Sequence, residues 1–276
     1  MRSRANARAL GARAVLASGV AALTLALAGC GDQASPKPAA QAGGHMRLVW
    51  GVPRDRAQRA IEQLERSGGT FADLVRGVDQ AFALPRDITV AWTSEQRAPY
   101  YETRRRRIVL GYPFALQAGR LFLQAGVAKS SAQAAGMAQA VSLFVFLHEL
   151  SHALIAELDV PATGRQEDAA DQLAVVLSTT TVPQGDTIAL AAARLFDLFS
   201  RYRGGFTTQS RFWDEHLLDD QRFRQILCLL AGADPKSYAS VIRRAGAPSG
   251  STRLCVAEYA RAQRAWTRLL EPHLRS

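Results

Sequence analysis

Phe144-Val145-Phe146-Leu147-His148-Glu149-Leu150-Ser151-His152 decides how the rest of the chain is read. On an α-helix, residues four apart sit one turn apart, about 6 Å along the axis and nearly on one line. The imidazoles of His148 and His152 can therefore reach one cation from the same side. Glu149 is rotated about 100° from His148 and is left free to face a water at that cation. Two neutral nitrogen ligands and a neighbouring carboxylate able to take a proton are what a zinc hydrolase needs. With five His in 276 residues, the H-E-x-x-H spacing arises by accident in roughly a few chains per thousand. Phe144, Phe146, Leu147, Leu150, Leu154 and Ile155 make this helix apolar nearly all round, so it is expected to be buried. Buried ionisable groups need partners, and a metal supplies one.

The chain opens with a segment that is expected to be removed. Arg2, Arg4, Arg8 and Arg13 precede an uncharged apolar run, Ala14–Ala28, too short for a comfortable membrane span. The run ends in Leu27-Ala28-Gly29-Cys30, which resembles a bacterial lipobox. That resemblance implies a lipoprotein signal peptide over residues 1–29 and a lipid anchor on Cys30. Gly31 rather than Asp follows Cys30, so the outer membrane, facing the periplasm, is the expected destination in a cell with two membranes. Residues 30–45, rich in Ala, Pro, Gly and Gln, read as a flexible tether, and residues 46–276 as one domain.

The formal charge of +10 falls to +6 without the four leader arginines. Arg104–Arg107 is the one basic cluster and is expected to be a solvated strand edge. No recognition motif accompanies it, so nucleic acid is excluded as a partner. A monomer is expected. Once Cys30 carries lipid, Cys228 and Cys255 remain, and export makes a disulfide between them the natural expectation; two separate buried thiols are the alternative.

Period-two alternation marks strands at Met46–Gly51, Ile88–Trp92 and Arg107–Tyr112, the last stopped by Pro113, with Ala98–Glu102 as a connection. Helical periodicity covers 55–66, 70–83, 130–158, 166–178, 186–202, 219–230, 236–245 and 255–270. A small N-terminal sheet before a helical body is an α+β arrangement.

Two histidines do not complete a zinc site. Glu167-Asp168-Ala169-Ala170-Asp171, at the start of the next helix, resembles the E-x-x-x-D motif of gluzincins, zincin-like H-E-x-x-H hydrolases. The resemblance implies Glu167 as third ligand and Asp171 as the carboxylate that orients a ligand imidazole. Ile155 and Asp159 stand where the extended His-ligand motif of other zincins needs Gly and His, which excludes that subclass. A second resemblance spans about Val49 to Leu270. It rests on Leu84–Ile88, on Phe212–Phe223 with Ile226–Leu229 and Gly232–Pro235, and on Cys255-x-x-Glu258-Tyr259. The chain is similar here to a family of bacterial metallopeptidases known mainly as a domain of unknown function. It departs from that pattern at Ala98–Tyr101 and Gly111–Pro113.

The expected chemistry is hydrolysis of a peptide or protein substrate, with Zn2+ on His148, His152 and Glu167 and with Glu149 as general base. His216 is the candidate donor to the oxyanion, with Tyr202 and Tyr101 as weaker ones. A non-catalytic envelope lipoprotein keeping a zincin-like fold is the alternative, and a non-peptide amide of the cell wall is a further substrate class.

Overall fold

The computed structural model describes residues 43–95, 98–202 and 219–275. His216, Trp213, Cys30, the leader and most of the tether lie outside these residues.

A four-stranded sheet comes first. β1 (Met46–Trp50), β2 (Ile88–Thr93) and β4 (Arg107–Gly111) are parallel, and β3 (Tyr100–Glu102) runs antiparallel along β4, giving the order β1-β2-β4-β3. Parallel neighbours need crossovers. α1 (Arg56–Arg66) and α2 (Thr70–Ala81) supply the one between β1 and β2. Asp55 caps α1 by accepting from Gln58 N at 2.8 Å, and Gly68 and Gly69, both at positive φ, make the break before α2.

An aromatic stack carries the sheet into the helical body. Trp50 stacks on Trp92 at 5.8 Å, Trp92 on Tyr112 at 5.4 Å, and Phe71 of α2 meets both Trp92 and Phe146. Such pairs contribute about 1 kcal/mol each beyond the area they bury.

The helical body comprises α3 (Tyr112–Gln124), α4 (Ser131–Glu157), α5 (Gln166–Thr181), α6 (Gly185–Tyr202), α7 (Asp219–Ala233), α8 (Pro235–Arg244) and α9 (Ser251–Leu270). α4 is its axis. It is apolar and long enough to span a membrane by composition, yet it lies buried within the fold. Ser130 caps it by accepting from Gln133 N. Its two buried serines are satisfied inside the helix, Ser142 donating to Ala138 O at 3.1 Å and Ser151 to Leu147 O at 2.7 Å.

α4 ends in a Schellman turn. Asp159 takes φ +54, and Val160 N donates to Ile155 O at 3.1 Å while both side chains are buried. The turn reverses the chain, and α5 returns against α4. An apolar cavity of about 730 Å³ opens among α2, α4, α5 and α9, lined by Leu143 and Leu147 of α4 and Leu173 and Val176 of α5. Leu147 lies about 100° round the helix from His148, so this cavity is on another flank from the histidines.

Three expectations need correction. β4 ends at Gly111, and Tyr112, expected in the strand, instead opens α3, a helix outside the expected set; Pro113 sits in its first turn, where its missing N–H removes no hydrogen bond. Ala98–Glu102 is not only a connection, because Tyr100–Glu102 pairs with β4 as the edge strand. Arg104–Arg107 is mostly hairpin turn rather than strand edge: Thr103–Arg105 form a 3-10 turn, Arg106 takes φ 48, and only Arg107 is in a strand. Elsewhere the fold is the α+β arrangement expected, with helix limits shifted by a few residues at most.

Candidate metal centre

α4 delivers His148 and His152 to one point from adjacent turns. Their Nε2 atoms are 3.2 Å apart, and the rings stand at 83° with centroids 4.9 Å apart. Because α5 returns antiparallel, Glu167 in its first turn meets both rings. Oε1 is 3.2 Å from His152 Nε2 and Oε2 is 3.3 Å from His148 Nε2. Two imidazole nitrogens and the two oxygens of one carboxylate thus face one another, each ring nitrogen against a different carboxylate oxygen.

Those separations can be compared with a real coordination shell. With metal–nitrogen and metal–oxygen bonds of about 2.0–2.1 Å, two ligands of a tetrahedral zinc ion are ~3.3 Å apart. The three nearest separations are of this size, and one ligand atom from each of His148, His152 and Glu167 lies within 4.8 Å of the other two, so the donor set fits a small divalent cation. Imidazole nitrogen and carboxylate oxygen suit zinc and several other first-row metals.

The next layer holds the first in place. His148 uses its other nitrogen, Nδ1, on Asp171 Oδ1 at 2.9 Å. Donation from Nδ1 fixes the tautomer and turns the Nε2 lone pair toward His152 and Glu167. Asp171 is fully buried, one turn after Glu167 on the same face of α5. Arg222 of α7 grips it with two bonds, Nε to Oδ2 at 2.8 Å and Nη2 to Oδ1 at 2.7 Å. Nη2 also lies 3.3 Å from His148 Nδ1, and the guanidinium carbon sits 4.0 Å from the centroid of the Phe196 ring on α6.

Electrostatics follow from this crowding. Burial and Arg222 both pull the His148 pKa down, but Asp171 and Glu167 outweigh them and lift it to about 9. For Asp171, burial pushes upward and is overcome by Arg222 and His148, which bring it to about 2. Burial dominates at Glu149 and raises its pKa, against the pull of His148 and His152. Glu149 is buried on α4 and coupled to both histidines, Glu167 and Arg222.

The structure therefore brings His148, His152, Glu167 and Asp171 together, with Glu149 beside them. Tyr101, a candidate oxyanion donor, instead donates to Glu157 Oε1 at 2.9 Å, and Arg86 holds the other oxygen of Glu157 at 2.9 Å. That network braces β3 against the end of α4. Tyr202 is exposed at the end of α6. Cys228 and Cys255 are joined in a disulfide between α7 and α9, with Cα atoms 5.0 Å apart.

Arg222 is the residue that sequence reasoning missed. Its signal was present: Arg222, Ile226, Leu229 and Leu230 share one face of α7 by helical spacing, so a cation stood in a core position. A buried arginine needs an anion, and Asp171 is that anion.

Two histidines from one helix and a glutamate from the antiparallel next, behind a small mixed sheet, form a candidate metal site of the H-E-x-x-H type. The chain belongs to the family described as "Putative metallopeptidase" (DUF4344), whose model matches residues 51–270. The match covers β2 to β4 of the sheet, α4, α5 and the helix that carries Arg222. Neither a curated protein nor a solved structure matches the chain.

Proposed function

We propose that this chain is a zinc-dependent peptidase that works on peptide or protein substrates at the cell envelope. The observation that carries the reading is the company Glu149 keeps. A buried carboxylate interacts with His148, His152 and Glu167, the three residues that would hold the ion and would leave a tetrahedral metal one further position. A purely structural zinc site is normally closed by four protein ligands and has no use for such a base.

In this reading His148, His152 and Glu167 hold the zinc ion. What zinc supplies when bound is Lewis acidity, which acidifies water toward neutrality and polarises a carbonyl oxygen. Glu149 takes the proton of the attacking water and hands it to the departing amine. Its raised pKa suits a group that must both accept and return a proton. Asp171 keeps His148 in the ligating tautomer. His216 is the proposed donor to the oxyanion, chosen for its place between α6 and α7.

The anchoring part of the proposal rests on sequence: the basic leader, the apolar run and Cys30. Residues 1–29 are then lost as a signal peptide, Cys30 is acylated, residues 30–45 tether a monomeric catalytic domain over 46–276, and in a cell with two membranes the outer one is the site.

The test is cleavage of peptide libraries by the zinc-loaded chain from Gly43 onward, read by mass spectrometry, with Glu149→Gln alongside. Expected are discrete cut peptides from wild type and none from the variant at equal zinc content. A zinc-loaded wild type that cuts no peptide refutes the peptidase reading. Release of fragments from envelope polymers instead would move the substrate class to a non-peptide amide.

A further inference from the structure

We propose that Arg222 is a positioning residue for the metal centre, locking Asp171 so that His148 is held for coordination and balancing the charge of the cluster. This inference rests on the metal reading above.

The first argument is geometric. Both oxygens of Asp171 are occupied: Oδ2 accepts from Arg222 Nε, and Oδ1 accepts from Arg222 Nη2 and His148 Nδ1. A planar fork engaging both oxygens fixes the carboxylate in rotation as well as in place. The fork is itself fixed, because its plane rests on Phe196 and its side chain is buried. Orientation thus passes from α6 and α7, through Asp171 of α5, to a ligand on α4. No other buried cation among the described residues lies in this cluster.

The second argument is a charge count. Glu149, Glu167 and Asp171 are three carboxylates, all buried, and His148 and His152 are neutral as ligands. One divalent cation and one guanidinium balance the three. Removing the guanidinium leaves a net buried negative charge that solvent cannot screen. A lysine restores the charge but not the fork. The two functions of Arg222 are therefore separable by substitution.

Cobalt(II) is the probe, since its visible spectrum reports ligand geometry whether or not any substrate turns over. The whole mature chain is titrated with cobalt and then with a competing chelator, in wild type, Arg222→Lys, Arg222→Met and the double variant Asp171→Asn with Arg222→Met. Circular dichroism serves as the control for folding. Expected are a roughly 10- to 100-fold weaker affinity with Arg222→Met, the range for losing a group that supports a ligand. Arg222→Lys should show a smaller loss with a shifted spectrum. The double variant should bind no more tightly than Arg222→Met alone, because Asp171→Asn also removes the carboxylate that orients His148. Should Arg222→Met not fold, the lysine variant carries the test by its spectrum. Wild-type affinity and an unchanged spectrum in Arg222→Lys and Arg222→Met would overturn the inference while leaving the metal site standing. A wild type that takes up no cobalt would instead overturn the metal reading itself.

Discussion

Glu65 offers the sharpest test of the energetic reasoning, because it stands apart from the metal cluster. It lies on α1, fully buried beside Ser142 of α4, and neither carboxyl oxygen has a hydrogen-bond partner among the described residues. Ser142 already donates its hydroxyl to Ala138 O. Burial pushes the Glu65 pKa from 4.5 to about 8, outweighing the opposing pull of the Ser142 hydroxyl. The folded chain thus holds a proton there that the unfolded chain has released above its own pKa. Stability falls as pH rises across that interval and levels off above it. At about 1.4 kcal/mol for each pH unit crossed, the loss is roughly 3 kcal/mol at pH 7 and about 5 kcal/mol once titration is complete. Glu65→Gln keeps the shape without the charge. It should match wild type near pH 4.5 and exceed it progressively, by about 3 kcal/mol at pH 7. Urea unfolding of both proteins from pH 4.5 to 8.5, with metal removed from each, measures the difference directly. A gap between the two that stays constant over this range would refute the reasoning.

Other outcomes are open to direct measurement. Glu149→Gln should retain its zinc, by elemental analysis, while peptide hydrolysis drops by about 10²- to 10⁴-fold, the usual weight of a general base. Zinc loss in that variant would place Glu149 among the ligands instead. Gly77 sits inside α2 with open space where a side chain would stand. Gly77→Ala should therefore raise stability by about 0.5–1 kcal/mol, seen as a higher denaturation midpoint. Replacing both Cys228 and Cys255 opens a bridge spanning 27 residues and should cost about 3–4 kcal/mol by loop-closure entropy. Chemical unfolding under non-reducing conditions would register it.

Much of the site was legible because its chemistry is local. Two histidines a turn apart on an apolar helix, then a glutamate and an aspartate a turn apart on the next, need only helix geometry and a short reversing turn to meet. The antiparallel return was readable from the short link Val160–Gly164, though not the Schellman turn at Asp159. What escaped was set by tertiary context. β3 has three residues, too few for alternation to show, and exists through pairing with β4. α3 was hidden because Pro113 reads as a stop when its neighbours alone are considered. Arg222 was hidden by distance, since nothing near it in the chain tells which carboxylate it will meet.

That distance has a consequence for how the protein is made. Arg222 follows Asp171 by 51 residues and His148 by 74. A chain growing from its N-terminus presents every proposed ligand well before the helix that steadies them is translated. Until α7 docks, a nascent or truncated chain carries the proposed ligand set without its counterweight, so on the proposal above tight metal capture belongs to the finished molecule.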